Sequence, residues 1–175
     1  IALADDQAVG DPRQRDQKRQ EVYGPWFAAS SGDDFIGIQN YDRAVFSGSD
    51  ILPPPKGATL NQLGAEVYSQ SLAGAVRYAH ERTKLPVFIT EHGVATSDDQ
   101  VRSAFVTESL NGLARVIAEG FPVTGYLHWS LLDNFEWIFG FGPTFGLVAV
   151  DRTTQRRTPK SSAKLLGGIA KRNGL

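Results

Sequence analysis

The feature that most constrains this chain is an alternation, three times over, of a short apolar run with a longer segment of helical periodicity. The first run is Asp34-Phe-Ile-Gly-Ile-Gln-Asn-Tyr41, rich enough in β-branched residues to be a buried strand. After it, Leu72, Ala75, Val76 and Ala79 recur at helical spacing, with Ser71 as the expected cap and Leu85-Pro86 as the stop. The second run, Val87-Phe-Ile-Thr90, leads into a helix with Ser97 and Gln100 spaced as a capping box. Val101, Phe105, Leu110, Leu113 and Ile117 mark its face, and Gly120 and Pro122 end it. The third, Val123 to Ser130, precedes a closing helix from Ala163 to Arg172.

Strand–helix repetition of this kind implies parallel strands joined by right-handed crossovers. Three units do not close a barrel. They fit either an open α/β sheet or the last three units of an eight-fold β/α barrel, and periodicity does not separate the two. Before them, residues 1–32 read as a polar segment with a surface helix between Pro12 and Gly24-Pro25. The stretch Ser47–Gly57, with its triple proline, reads as loop.

Composition narrows the class of partner. The hydrophobic fraction of 41% and charged fraction of 21% are those of a soluble globular domain. A formal net charge of −1 gives no electrostatic case for nucleic acid or an anionic membrane, so a neutral partner is expected. After Asp151 every charged residue is basic, a pattern read as a solvated helix face. With no cysteine, thiolate metal sites, disulfides and cysteine nucleophiles are all ruled out. His80, His92 and His128 lack any metal-ligand spacing; no metal and no cofactor are expected. The start, I-A-L-A-D-D-Q, has neither the basic region nor the apolar stretch of a signal peptide, which favours a cytoplasmic over a secreted location. The absence of methionine implies a processed chain or a piece of a longer one.

Two segments carry chemistry. Glu91 follows an apolar strand and precedes His92-Gly93, so its carboxylate should project from the C-terminal end of that strand, where β/α barrels keep their catalytic groups. Alone, such an acid is as compatible with a structural role. Leu127-His-Trp-Ser-Leu-Leu-Asp-Asn-Phe-Glu-Trp137 combines indole rings with acids and an amide. Aromatic faces suit the C–H surface of a sugar and carboxylates suit its hydroxyls, although a buried aromatic cluster with a turn at Asp133-Asn134 reads equally well.

In combination these segments resemble the C-terminal part of glycoside hydrolase family 1, the β-glucosidase family, over about residues 33–175. Ile89-Thr-Glu-His-Gly93 is similar to the family's I-T-E-N-G nucleophile motif, and Trp129 to Trp137 matches W-S-L-L-D-N-F-E-W without a change. Phe145-Gly-Leu with Val150-Asp151, and Arg157-Thr-Pro-Lys-Ser-Ser-Ala163, resemble two further family signatures in the same order. The resemblance implies a β/α barrel incomplete in this chain. It also implies a retaining β-glycosidase acting on a β-glucoside or related β-glycoside without a cofactor. Glu91 would be the nucleophile and Tyr41 the hydroxyl that orients it. Trp129 would pack on the sugar, Glu136 would accept from two of its hydroxyls, Trp137 would donate an indole N–H, and Phe145 would wall the pocket.

The departures from the family are His92 for asparagine, Gln39-Asn40-Tyr41 for N-Y-Y, and Thr144 for a basic residue. Gln39 is expected to supply the usual amide contact from one methylene further out. The family's acid/base motif, N-E-P, is absent, so the general acid/base would come from the N-terminal part of the barrel, in the same parent chain or a second polypeptide. The 175 residues alone would then turn over weakly or not at all. The alternative is a non-catalytic carbohydrate-binding or structural fragment of the same fold.

Overall fold

The computed structural model describes residues 1–174. Its centre is a parallel sheet of β2 (Ile36–Asn40), β5 (Val87–His92) and β6 (Val123–Tyr126), in that spatial order. Helix α3 (Ser71–Thr83) connects the first pair and α4 (Asp99–Ala118) the second, while α5 (Ser161–Arg172) closes the chain. The helices pack side by side, α3 on α4 and α4 on α5. Alternation along the strands sends Ile36, Ile38, Val87 and Ile89 into a core shared with Leu72, Ala75, Val76 and Ala79 of α3 and Val106, Leu113 and Val116 of α4. Each fully buried Val, Leu or Ile side chain here is worth about 1.5–3 kcal/mol against leaving it in water.

Several elements differ from expectation for local reasons. Strand β5 runs two residues beyond Thr90, so Glu91 and His92 are its last two rungs and face opposite ways. Strand β6 stops at Tyr126, and residues 127–136 continue as irregular backbone and turns. Ser71 is not a cap: it is the first residue of α3, and its hydroxyl donates to Asn40 Oδ1 at 2.9 Å, tying helix to strand. For α4 the cap is Asp98 rather than Ser97, with Asp98 Oδ1 accepting from Gln100 N at 2.8 Å. Ile117 lies off the buried face of α4, 50% exposed, and Arg102 and Ser109 are inside instead.

The polar start contains α1 (Arg13–Val22) and α2 (Gly24–Ala29), and also a strand that polarity hid, β1 (Asp5–Ala8). It pairs in parallel with β3 (Arg43–Ser47), which forms a short hairpin with β4 (Asp50–Ile51) inside the expected loop. Just before β1, Leu3 N donates to Gln39 O and Gln39 N to Ile1 O, both at 2.8 Å, so the first residues run beside β2 as a further parallel rung.

The basic tail is not simply solvated. Lys160 is largely buried, with Nζ 3.0 Å from Asp133 Oδ1 and 2.7 Å from Gly146 O. Strands β7 (Val148–Val150) and β8 (Arg157–Pro159) form an antiparallel pair next to it. The N-terminus of α5 is held by Asp99, whose carboxylate accepts from Ser162 N at 2.9 Å and Ser162 Oγ at 2.6 Å. Burial alone would push Asp99 up, but the two Ser162 donors and Arg102 outweigh it and hold the carboxyl below its ordinary range.

Candidate active site

Parallel strands end together, so the side chains on their last rungs share one rim. On that rim Glu91 is held by one donor on each oxygen. Gln39 Nε2 donates to Oε1 at 2.7 Å and Tyr41 Oη to Oε2 at 2.5 Å. The register pairs Gln39 with Glu91 directly across β2 and β5, after an irregularity between Ile38 and Gln39 that brings them level. Charge-assisted bonds of this length fix a carboxylate in orientation while leaving its faces open. Burial, reinforced by the Glu91 carboxylate, pushes the Tyr41 phenol well above its ordinary value, so it remains a donor throughout the working pH range.

The cleft in front of Glu91 has a volume of about 530 Å3. All seven residues singled out from the sequence line it: Gln39, Tyr41, Glu91, Trp129, Glu136, Trp137 and Phe145. Trp129 Nε1 donates to Glu136 Oε1 at 3.1 Å and Asn134 Nδ2 donates to the same oxygen at 2.6 Å, leaving Oε2 without a donor among the described residues. Glu136 is thus buried but half-engaged. Trp137, in a single 3-10 turn (Trp137–Phe139), is 82% exposed and makes no such contact. Phe145 meets the Tyr41 ring edge-on, with centroids 5.8 Å apart.

Gly93 explains how β5 and the tryptophan segment approach. A Cβ there would lie 1.9 Å from the Trp129 carbonyl oxygen, so any side chain would force the indole wall away from Glu91. Asp133 is engaged elsewhere, accepting from Lys160 and from Gly146 N at 2.9 Å.

Behind Glu91, His92 points the other way. It is fully buried, stacked on Phe105 with centroids 4.7 Å apart, and its Nδ1 lies 2.9 Å from Tyr126 Oη. The same hydroxyl lies 3.2 Å from Nδ1 of His128. One hydroxyl hydrogen serves one ring, so the other histidine carries its proton on Nδ1 and gives it to the phenol oxygen. Burial, with His128 nearby, lowers His92 to about 3; burial, with Arg102 nearby, lowers His128 to about 4. Both rings are neutral. His80 is half-buried, its Nδ1 2.8 Å from Leu85 O.

Four further cleft residues, Asp42, Asn61, Leu63 and Ala65, escaped sequence reasoning. They belong to the connection after β2, which has no periodicity and no motif.

The cleft therefore lies at the C-terminal ends of parallel strands backed by helices, an α/β arrangement that carries a polar and aromatic lining. Residues 34–175 match Glycosyl hydrolase family 1, and the chain belongs to that family. The apo structure of a β-glucosidase superposes with a TM-score of 0.93 and 44% identity, over 100% of this chain and 43% of that one. The β-glucosidase of an Agrobacterium species is 41% identical over 117 residues, which is 62% of this chain and 26% of that protein. The chloroplastic galactolipid galactosyltransferase of Arabidopsis thaliana is 37% identical over 142 residues, covering 79% of this chain and 23% of the transferase. The chain therefore spans about a quarter of these curated relatives. The match settles the fold as the C-terminal portion of a (β/α)8 barrel, incomplete in this chain, rather than an open sheet.

Proposed function

We propose that this chain is the C-terminal part of a retaining β-glycosidase of β-glucosidase type, in which Glu91 attacks the anomeric carbon of a β-glycoside. The observation that carries the reading is the Glu91 carboxylate, pinned through both oxygens by Gln39 and Tyr41 and facing a cleft with an indole wall and a second, half-engaged carboxylate. Such pinning removes the rotational freedom that attack would otherwise have to sacrifice. The attack forms a glycosyl ester on Glu91 and expels the leaving-group oxygen. Water then cleaves that ester at the same carbon, so two inversions give net retention.

Trp129 offers an apolar face to the ring, and Glu136 Oε2 offers an acceptor to its hydroxyls. The leaving oxygen needs a proton from a carboxylic acid about 5–5.5 Å from the nucleophile. Asp133 is bound to Lys160, and Glu136 is bonded to Trp129 and Asn134, so neither supplies it. With no counterpart here of the family's N-E-P acid/base motif, that group is assigned to the part of the barrel outside this chain, either in the same polypeptide or in a partner. General acid–base assistance contributes about 10²–10⁴-fold, so the 175 residues alone turn over ordinary glycosides weakly or not at all.

The test is the stereochemistry of the first product. Hydrolysis of an aryl β-glucoside by the full-length protein, followed by proton NMR before mutarotation, should show β-glucose first. Initial α-glucose would contradict the covalent route.

A further inference from the structure

In front of the sheet, Glu91 and the indole wall are held by separate sets of contacts. The side-chain bonds of Glu91 run to Gln39 and Tyr41, on the β2 side, and those of Trp129 and Glu136 stay within the segment after β6. What joins the two lies behind. His92 directly follows Glu91 and His128 directly precedes Trp129, and the one hydroxyl of Tyr126 reaches both rings, 2.9 Å from His92 Nδ1 and 3.2 Å from His128 Nδ1. We propose that Tyr126 is a positioning residue: its hydroxyl, bridging His92 and His128, sets the placement of Glu91 against the indole wall of Trp129. This rests on the glycosidase reading and adds to it a residue that acts without touching substrate.

Three observations support it. The phenol is the sole hydrogen-bond partner of either imidazole among the described residues, because Nε2 of both rings is buried and unpaired. Losing the hydroxyl would strand two buried polar rings, and that penalty is what gives the bridge its hold. His92 cannot swing to find another partner, since its ring lies flat on Phe105 of α4, 8° from parallel with centroids 4.7 Å apart. Beyond Tyr126, finally, the backbone ladder is down to two bonds, Leu127 N to Ile89 O and Trp129 N to His92 O, both at 2.9 Å, and residues 127–136 are irregular. Beside those two bonds, the Tyr126–His92 contact is the only side-chain hydrogen bond from β5 to residues 126–137 among the described residues.

Burial pushes the Tyr126 phenol above its ordinary range, so the bridging hydrogen stays on the oxygen. His92 is also one of the departures from the family's I-T-E-N-G motif, so a bridge from ring to ring is not a feature of the asparagine form.

The experiment measures kcat and KM of the full-length protein on an aryl β-glucoside, well below its melting temperature. Tyr126→Phe removes one oxygen and keeps the ring. A 1 Å misplacement of reacting groups costs on the order of 100-fold, so a slackened bridge should lower kcat about 10-fold and change KM less than about threefold. His128→Phe cuts the bridge at its other, half-buried end; it should lower kcat to the same extent, and the double variant no further. A lowered melting temperature with kcat intact would assign the hydroxyl to folding alone and overturn the proposal. A raised KM with kcat unchanged, or kcat losses that multiply in the double variant, would also overturn it. Should Tyr126→Phe not fold, kcat of His128→Phe decides by the same criterion. If the unaltered protein does not hydrolyse the glucoside, the glycosidase reading itself fails and the proposal falls with it.

Discussion

Glu91 and His92 are neighbours on one strand, yet one is kept open and polar and the other sealed. Glu91 meets an amide, a phenol and a cleft; His92 meets Phe105, Tyr126 and no solvent. Period-two alternation separates them, and their surroundings set their chemistry. The cleft face holds a carboxylate oriented by two donors and open to the cleft, while the helix face keeps an imidazole neutral and holds the strand in place.

Substitutions should split along that line. Glu91→Ala in the full-length protein should lower kcat/KM on an aryl glucoside by at least about 10⁴-fold, with little change in urea midpoint, because it removes the proposed nucleophile and buries no less surface. His92→Ala should invert that balance, with more lost in stability and far less in turnover. Loss of the stacked ring leaves a cavity against Phe105 and an unpaired Tyr126 hydroxyl, lowering stability by about 3 kcal/mol in urea titration. A stability loss from Glu91→Ala as large as that from His92→Ala would break the comparison.

Tyr41→Phe removes one of the two donors to Glu91. A charge-assisted hydrogen bond is worth about 1.5–3 kcal/mol, so kcat/KM should fall about 10- to 100-fold, mainly in kcat, with folding nearly unchanged. The remaining effect is in pH. His92 is lowered to about 3 in the folded state, so the unfolded chain binds its proton first. Its contribution is complete above about pH 6.5 and is lost as pH falls toward 3, at up to about 1.4 kcal/mol per pH unit. The raised carboxyls of Asp5, Asp6 and Asp42 act in the opposite sense. The difference between the chain and His92→Phe, which keeps the stacked ring, isolates the histidine: the variant should show the shallower loss between pH 6.5 and 4.

Much of this is legible in the sequence. The Leu72, Ala75, Val76, Ala79 face is fully or nearly buried as its spacing required, and the seven residues tied to sugar chemistry converge on one cleft. What stayed hidden has physical reasons. Strand β1 reads Asp-Asp-Gln-Ala because it is secured by polar partners rather than by apolar burial: Asp6 lies 3.7 Å from Arg19, and Asp5 accepts from Gln7 at 2.7 Å. Ser71 looked like a cap because hydroxyl-bearing residues favour helix starts; its hydroxyl instead reaches Asn40 across the core. Asp42 and Asn61 lie in a connection whose shape depends on the Gln62–Thr144 link, 82 residues apart in the chain, which no local pattern encodes.

The most direct test of the account is covalent trapping. A 2-deoxy-2-fluoro-β-glucoside inactivator, with a good leaving group that needs little protonation, should accumulate the glycosyl-enzyme on the full-length protein. Peptide mass mapping should find the added fluoroglucosyl group on Glu91. Inactivation with the label on any other carboxylate, or none in a preparation that hydrolyses glucosides, would contradict the assignment of Glu91 as the nucleophile.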